Sequence, residues 1–185
     1  MTKIRKTVER KVILSGLTPI LFDRYAGNNK EQLDVMDKIY QKDGMMVLPS
    51  MNIVSFLSAT NTESAPQRVI GRGYKEVCKA AQSFVNILEM DVPFYRNGKP
   101  LKVSEADLKV HVAVAKIMKG KLVIPNPKER PMLEAPWELR FNLTLLETPE
   151  LNEVLLKELF EKGGLTIGLG TWRGMFGKFK VESWE

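Results

Sequence analysis

Trp137-Glu138-Leu139-Arg140-Phe141-Asn142-Leu143-Thr144-Leu145 alternates strictly between apolar and polar side chains. Successive side chains of a strand point to opposite faces. The alternation therefore puts Trp137, Leu139, Phe141, Leu143 and Leu145 on a core side and Glu138, Arg140, Asn142 and Thr144 on the other. Leu108–Met118 repeats the pattern: Leu108, Val110, Val112, Val114 and Lys116 face one way, Lys109, His111, Ala113 and Ala115 the other. Both runs read as strands. The Pro- and Lys-rich stretch between them, 119–136, reads as a long exposed hairpin excursion.

Working outward, Val8–Ser15 reads as an opening strand ended by Gly16, and Lys178–Trp184 as a closing one. Thr148-Pro149-Glu150 supplies an N-cap, a proline at the first helical position and an early acid. The apolar stripe Leu151, Val154, Leu155, Leu159 and Phe160 follows, and Gly163 is expected to close the helix. Between Gly16 and Asp107 the spacing predicts helices. One opens at Asn28-Asn29 and runs through Leu33, Met36, Ile39 and Tyr40. The next starts at Pro49-Ser50 and carries Ile53, Phe56 and Leu57, and the last spans Tyr74–Leu88. Residues 60–73 read as a loop, and Asn97-Gly98 as a turn between two short extended pieces. The order strand, helices, strand, strand, helix, strand is the β-α-β-β-α-β pattern of ferredoxin-like and RRM-like folds. The expected fold is α+β, an antiparallel sheet with helices on one face. It is one domain over 1–185, whose first crossover is expanded into a mainly helical insertion at 26–107.

With 185 residues, 44% hydrophobic and 27% charged, the chain has the composition of a soluble globular domain. No apolar run approaches the ~18 residues of a membrane span, and no apolar stretch follows the basic start as in a secretory signal, so a cytoplasmic protein is expected. One cysteine, Cys78, and one histidine, His111, exclude an internal disulfide framework and a structural zinc site. No cofactor or metal is expected. The charge is mildly basic, 28 Lys+Arg against 22 Asp+Glu, net +6, which points weakly to a polyanionic partner.

Six of the 13 glycines fall within Gly163–Phe179, a stretch that also holds Trp172, Arg173, Phe176 and Lys178 and no acid. Glycine lets backbone approach a ligand closely, and with cationic and aromatic neighbours such a loop can cradle a phosphate backbone and stack a base on Trp172 or Phe176. The same residues also fit a helix C-cap, a tight connection and buried aromatics. The spacing matches neither the dinucleotide nor the P-loop signature, which argues against an NTPase.

Basic residues cluster in three places: the N-terminal tail with Lys3, Arg5, Lys6, Arg10 and Lys11; Arg68, Arg72 and Lys75 in or beside a glycine-containing loop; and Lys116, Lys119, Lys121, Lys128 and Arg130 along the hairpin. Clusters on loops and a tail are placed to contact phosphates, although a solvated surface explains any one of them. His111 reads more readily as a sheet residue than as a general base. Asp23, beside Arg24, reads more readily as a local ion pair than as an acid–base group or metal ligand, and Cys78 as a core residue.

The start Gly16-Leu17-Thr18-Pro19-Ile20-Leu21, the element order and the Gly163–Gly177 segment together resemble the RAMP superfamily, the RRM-derived domains of CRISPR effector complexes, and in particular their backbone-forming subunits. The chain is similar to small bacteriophage proteins of that kind, which share the start, a strand like Trp137–Phe141 and an ending like Ile167–Phe179. The resemblance implies that the loop after the first strand, the insertion and a thumb-like hairpin at 119–136 grip single-stranded DNA or RNA while subunits stack side by side as a homo-oligomer or filament. On it, Arg24, Arg68, Arg72, the hairpin lysines and Arg173 become backbone contacts. The expected function is non-catalytic single-stranded nucleic-acid binding. The alternatives are a protein-interaction module that mimics a host complex, and a ribonuclease using Asp23, as some relatives do, or His111.

Overall fold

A computed structural model describes residues 6–28, 33–119 and 122–185; the side chains of residues 115–119 and 123 lie outside the description, as do Lys3, Arg5 and Lys121. In chain order the elements are β1 (Thr7–Gly16), β2 (Ile20–Leu21), β3 (Gln41–Lys42), β4 (Met45–Pro49), α1 (Ser50–Ser58), α2 (Ala65–Val69), α3 (Tyr74–Phe84), β5 (Val85–Ile87), β6 (Asp91–Arg96) and β7 (Lys99–Pro100). These are followed by β8 (Lys109–Lys119), β9 (Leu122–Leu133), β10 (Glu138–Leu146), α4 (Glu153–Thr166) and β11 (Phe179–Trp184). The protein combines helices with antiparallel sheet. In the main sheet β1 lies between β11 and β10, and the far edge of β10 pairs with both β5 and β6; β4 and β3 extend it beyond β6.

The alternation of β10 performs as its sequence requires. Leu139, Phe141, Leu143 and Leu145 are buried, and the intervening residues are half-buried. Phe141 and Phe56 both pack on Phe160 of α4, with centroids 6.2 and 5.7 Å apart. Ile53, Phe56 and Leu57 of α1 and Leu156, Leu159 and Phe160 of α4 are all buried, at about 1.5–3 kcal/mol for each large side chain removed from water. Trp137 is buried just before β10, and its indole Nε1 donates to the Thr18 carbonyl at 2.9 Å. Its ring occupies the space that a side chain at position 16 would need, since a Cβ on Gly16 would come within 2.2 Å of it. Gly16 therefore lets the chain turn from β1 toward β2 across the indole face.

Leu108–Met118 is a strand, as its alternation predicts, but it is not part of the main sheet. β8 pairs along its whole length with β9, from Lys109↔Met132 to Lys119↔Leu122, and among the described residues the strand pairing that links this long hairpin to the rest of the chain is with β2, at Ile20↔Leu133 and Leu21↔Met132. Its covered face is the one that carries His111. Val110, Val112 and Val114 are 46%, 57% and 60% exposed, while the His111 face is covered by aromatic rings. Alternation reports an extended ribbon but not which face is covered. On the edge of β10 away from β1, the flanking strands come instead from Asp91–Arg96 and from Val85–Ile87, where the helix expected over Tyr74–Leu88 gives way to a strand after Phe84.

Three further expectations change. The helix expected from Asn28-Asn29 is, within the described residues, a 3-10 turn at Val35–Lys38, after which Ile39 turns extended and Gln41–Lys42 forms a strand. The loop expected at 60–73 contains α2, started by Ser64 with Pro66 in its first turn. The last helix begins at Glu153, capped by Asn152 Oδ1 accepting from Leu155 N at 2.9 Å, while Thr148 closes a turn on Leu151. It also runs through Gly163 and Gly164 to Thr166. A Cβ on these glycines would come within 2.5 Å of Ala65 and 2.6 Å of Phe179, so they serve close packing rather than capping.

Candidate nucleic-acid interface

The candidate site lies where three segments meet at the foot of the β8–β9 hairpin. Phe22 N donates to Pro131 O at 3.1 Å, which lays the loop that starts at Asp23 along β9. The glycine-rich segment after α4 docks on the same place. Thr171 N donates to Leu21 O at 3.1 Å and Gly177 N to Pro19 O at 2.7 Å, while Gly170 N donates to Asn52 Oδ1 on α1 at 2.9 Å. Gly168, Gly170, Gly174 and Gly177 all have positive φ, and a Cβ on Gly177 would come within 1.9 Å of the Leu169 carbonyl. The folded loop thus depends on glycine, and it presents Trp172 and Phe176 to the hairpin.

His111 and Arg130 are cross-strand partners on β8 and β9 and share the covered face. The His111 ring meets Phe176 edge-on at 4.9 Å and Trp172 at 5.9 Å. The Arg130 guanidinium lies 4.7 Å from the Trp172 ring centroid and donates to Asp23 Oδ2 through Nε, at 3.1 Å, and Nη2, at 2.8 Å. Its side chain is 8% exposed, and Nη1 has no hydrogen-bond partner among the described residues. Trp172 itself is held at φ 55°, a conformation that costs a non-glycine residue about 1–2 kcal/mol. Burial, helped by the nearby Asp23 carboxylate and opposed by Arg24, pushes the Tyr40 phenol up.

Beside this cluster the Asp23–Asn28 loop, the 3-10 turn and β9 enclose a cavity of about 730 Å³. Arg24, Lys38 and Lys128 line it with Tyr25, which is 62% exposed, and with Asp23, Asp34 and Glu129. Arg24 Nε donates to Asp37 O at 2.9 Å and Lys38 Nζ to Glu129 O at 2.8 Å, so both cations are anchored on neutral carbonyls. Lys128 makes no ion pair among the described residues. On the other side of the glycine loop, Thr62, Glu63, Gly170, Thr171, Trp172 and Arg173 line a second cavity of about 370 Å³.

Of the expected contacts, the structure places Arg24 and Lys128 on the first cavity, Trp172 and Arg173 on the second, and Arg130 against the Trp172 ring. Arg68 reaches the second cavity indirectly, as the ion-pair partner of Glu63. Arg72 and Lys75 are exposed around the start of α3, and neither lines either cavity. Lys178 is half-buried, its backbone N donating to Thr18 Oγ1 at 2.9 Å. The side chains of Lys119 and Lys121 lie outside the described residues. Asp23 directs Oδ2 at the Arg130 fork, and His111 meets rings rather than a nucleophile or carboxylate. No group of three or more His, Cys, Asp and Glu side chains able to hold a metal occurs among the described residues. Cys78 is a buried core residue, and burial pushes its thiol up. Lys38 and Tyr25 are the residues that sequence reading passed over. Lys38 sat within an expected helix, and Tyr25 carried no motif.

No described helix is long and apolar enough to cross a membrane. No family model matches the chain, and no curated protein does. Among solved structures it is similar in fold to a chain in the cryo-EM structure of the Type III-B Cmr-beta bound to cognate target RNA. That similarity has a TM-score of 0.56 at 14% identity, and it covers 97% of this chain and 60% of that one, so this chain spans less than two thirds of its neighbour's length.

Proposed function

We propose that the chain is a single-stranded RNA-binding protein of the RAMP type that holds its ligand without cleaving it. One observation carries the reading. The three segments that meet at the hairpin foot join an aromatic–cation cluster to a groove containing Arg24, Lys38 and Lys128, in a fold similar to a chain of an RNA-bound complex. Cations anchored on neutral carbonyls keep their charge available to phosphates, and exposed Tyr25 offers a stacking surface. The main sheet, with β1 between β11 and β10 and with β5 beyond β10, is read as ferredoxin-like with an expanded first crossover.

Binding without cleavage is favoured because the two groups that could do acid–base work are otherwise engaged. Asp23 holds the buried Arg130, and His111 packs between aromatic rings. Side-by-side assembly is part of the proposal: Val110, Val112 and Val114 leave an apolar strip along one face of the hairpin. Incubating labelled RNA with the protein and Mg²⁺, then resolving it both on native and on denaturing gels, tests the reading. A retarded band of intact RNA is expected. Shortened products that disappear in Asp23→Ala would favour a ribonuclease instead.

A further inference from the structure

The proposed groove accounts for Arg24, Lys38 and Lys128 but leaves the second cavity without a role. Arg173 supplies its cation. Nη1 donates to Glu63 O at 3.4 Å, and Nη2 to Asn52 O at 3.4 Å and Ser55 Oγ at 3.3 Å. All three acceptors are neutral and all three distances exceed the 2.7–3.2 Å typical of N–H···O bonds, so the fork is held loosely. No carboxylate pairs with it among the described residues. Glu63, in the same wall, gives its own carboxylate to Arg68. Burial pushes the Arg173 guanidinium below its ordinary value, as expected for a desolvated cation without a counter-ion. An arginine in that state is incomplete, and its planar fork matches the oxygens of a phosphate.

The rest of the cavity suits the group that carries the phosphate. Trp172 lines it, and Thr62 and Thr171 contribute hydroxyl-bearing walls. About 370 Å³ lies at the small end of the range for small-molecule sites. Trp172 is fixed from its other contacts by Arg130 and His111, at 4.7 and 5.9 Å, so the ring is already positioned before any ligand arrives.

We propose that this cavity is a nucleotide-phosphate seat, in which Arg173 takes the phosphate and Trp172 offers its ring to the attached base. This rests on the RNA-binding reading when the nucleotide belongs to a bound strand, and stands apart from it when the nucleotide is free.

The test uses the full chain labelled with ¹⁵N and titrated separately with inorganic phosphate, 5′-AMP and adenosine. Phosphate and 5′-AMP are expected to shift the backbone amides of Thr62, Glu63, Gly170 and Thr171 and the Arg173 Nε–H, with adenosine at least tenfold weaker than 5′-AMP. Arg173→Gln is expected to abolish the response. Because Arg173 also ties α1 to the loop, the wild-type mapping decides the matter even where that variant folds poorly. Shifts that are absent at about 10 mM probe, a concentration that still reveals millimolar affinity, overturn the site. So do shifts that are as strong for adenosine as for 5′-AMP. A single-stranded oligonucleotide added in parallel separates the two readings. RNA that binds with the Arg173 region unmoved, in a protein silent to 5′-AMP, removes this seat and leaves RNA binding intact. A 5′-AMP response in a protein that binds no RNA keeps the seat and removes the strand.

Discussion

Arg130 and Asp23, 107 residues apart in the chain, are joined by two hydrogen bonds to one carboxylate oxygen, at 2.8 and 3.1 Å. That contact ties the protruding hairpin to the loop after β2 and fixes where the Trp172 ring rests. Without Asp23 the guanidinium would stay buried with no counter-charge. Asp23 is partly exposed, so water would take up some of the loss. Asp23→Ala is therefore expected to lower the unfolding free energy by about 1–3 kcal/mol in urea denaturation. Adding Arg130→Met to it should recover most of that loss. Stability unchanged in the single variant would mean that the pair does not hold the hairpin.

Helix α4 packs through its glycines. A methyl at Gly163 would press on Ala65 and Phe56 at 2.5 and 2.7 Å. Gly163→Ala is expected to destabilise the chain by about 1–3 kcal/mol through overpacking, although alanine is the better helix former. A stabilised Gly163→Ala variant, measured by thermal unfolding, would contradict close packing of α2 on α4.

Glu153 binds the other end of the sheet to α4. Its carboxylate lies below the ordinary range chiefly because Arg10 donates to it at 2.5 Å, against an opposing effect of burial, with Trp184 Nε1 donating at 3.1 Å. A carboxyl depressed in the folded state stabilises the fold above its unfolded pKa, and that contribution is lost as pH falls through the folded value. The stability gap between wild type and Glu153→Gln should therefore be full near pH 7 and shrink steadily as the solution is acidified below about pH 4.5. A gap independent of pH between about 3 and 7 would show that the charge of Glu153 contributes nothing.

Arg24 and Lys128 are expected to meet phosphates rather than bases. Replacing either with alanine should weaken binding about equally for different RNA sequences and flatten the salt slope by about 0.7 for each phosphate no longer neutralised. A change in sequence preference without a change in slope would assign them to base reading instead.

The strand pattern of β10, the apolar stripe of α1 and the core position of Cys78 were readable in the sequence, because each answers to one buried face; the stripe expected on α4 was right at Leu159 and Phe160 but took in Val154, which is 78% exposed, and passed over buried Leu156. The allegiance of Leu108–Met118 was not. Its alternation is as clean as that of β10, yet the rings that cover it, Trp172 and Phe176, arrive from the far end of the chain. The same holds for the site. The glycine-rich stretch was conspicuous by composition, but the Arg130–Asp23 pair and the lone Arg173 fork depend on pairings across 107 and 110 residues, which no spacing announces. Sequence reading put Arg130 among the phosphate-binding cations because its charge is visible and its burial is not.

The central claim is tested most directly by fluorescence anisotropy of a labelled single-stranded RNA mixed with the full chain at salt concentrations from about 50 to 300 mM. Binding at the lowest salt, with log K falling linearly by about 0.7 per phosphate neutralised for each tenfold rise in salt, is the predicted result. No binding at low salt, or binding insensitive to salt, would contradict the account.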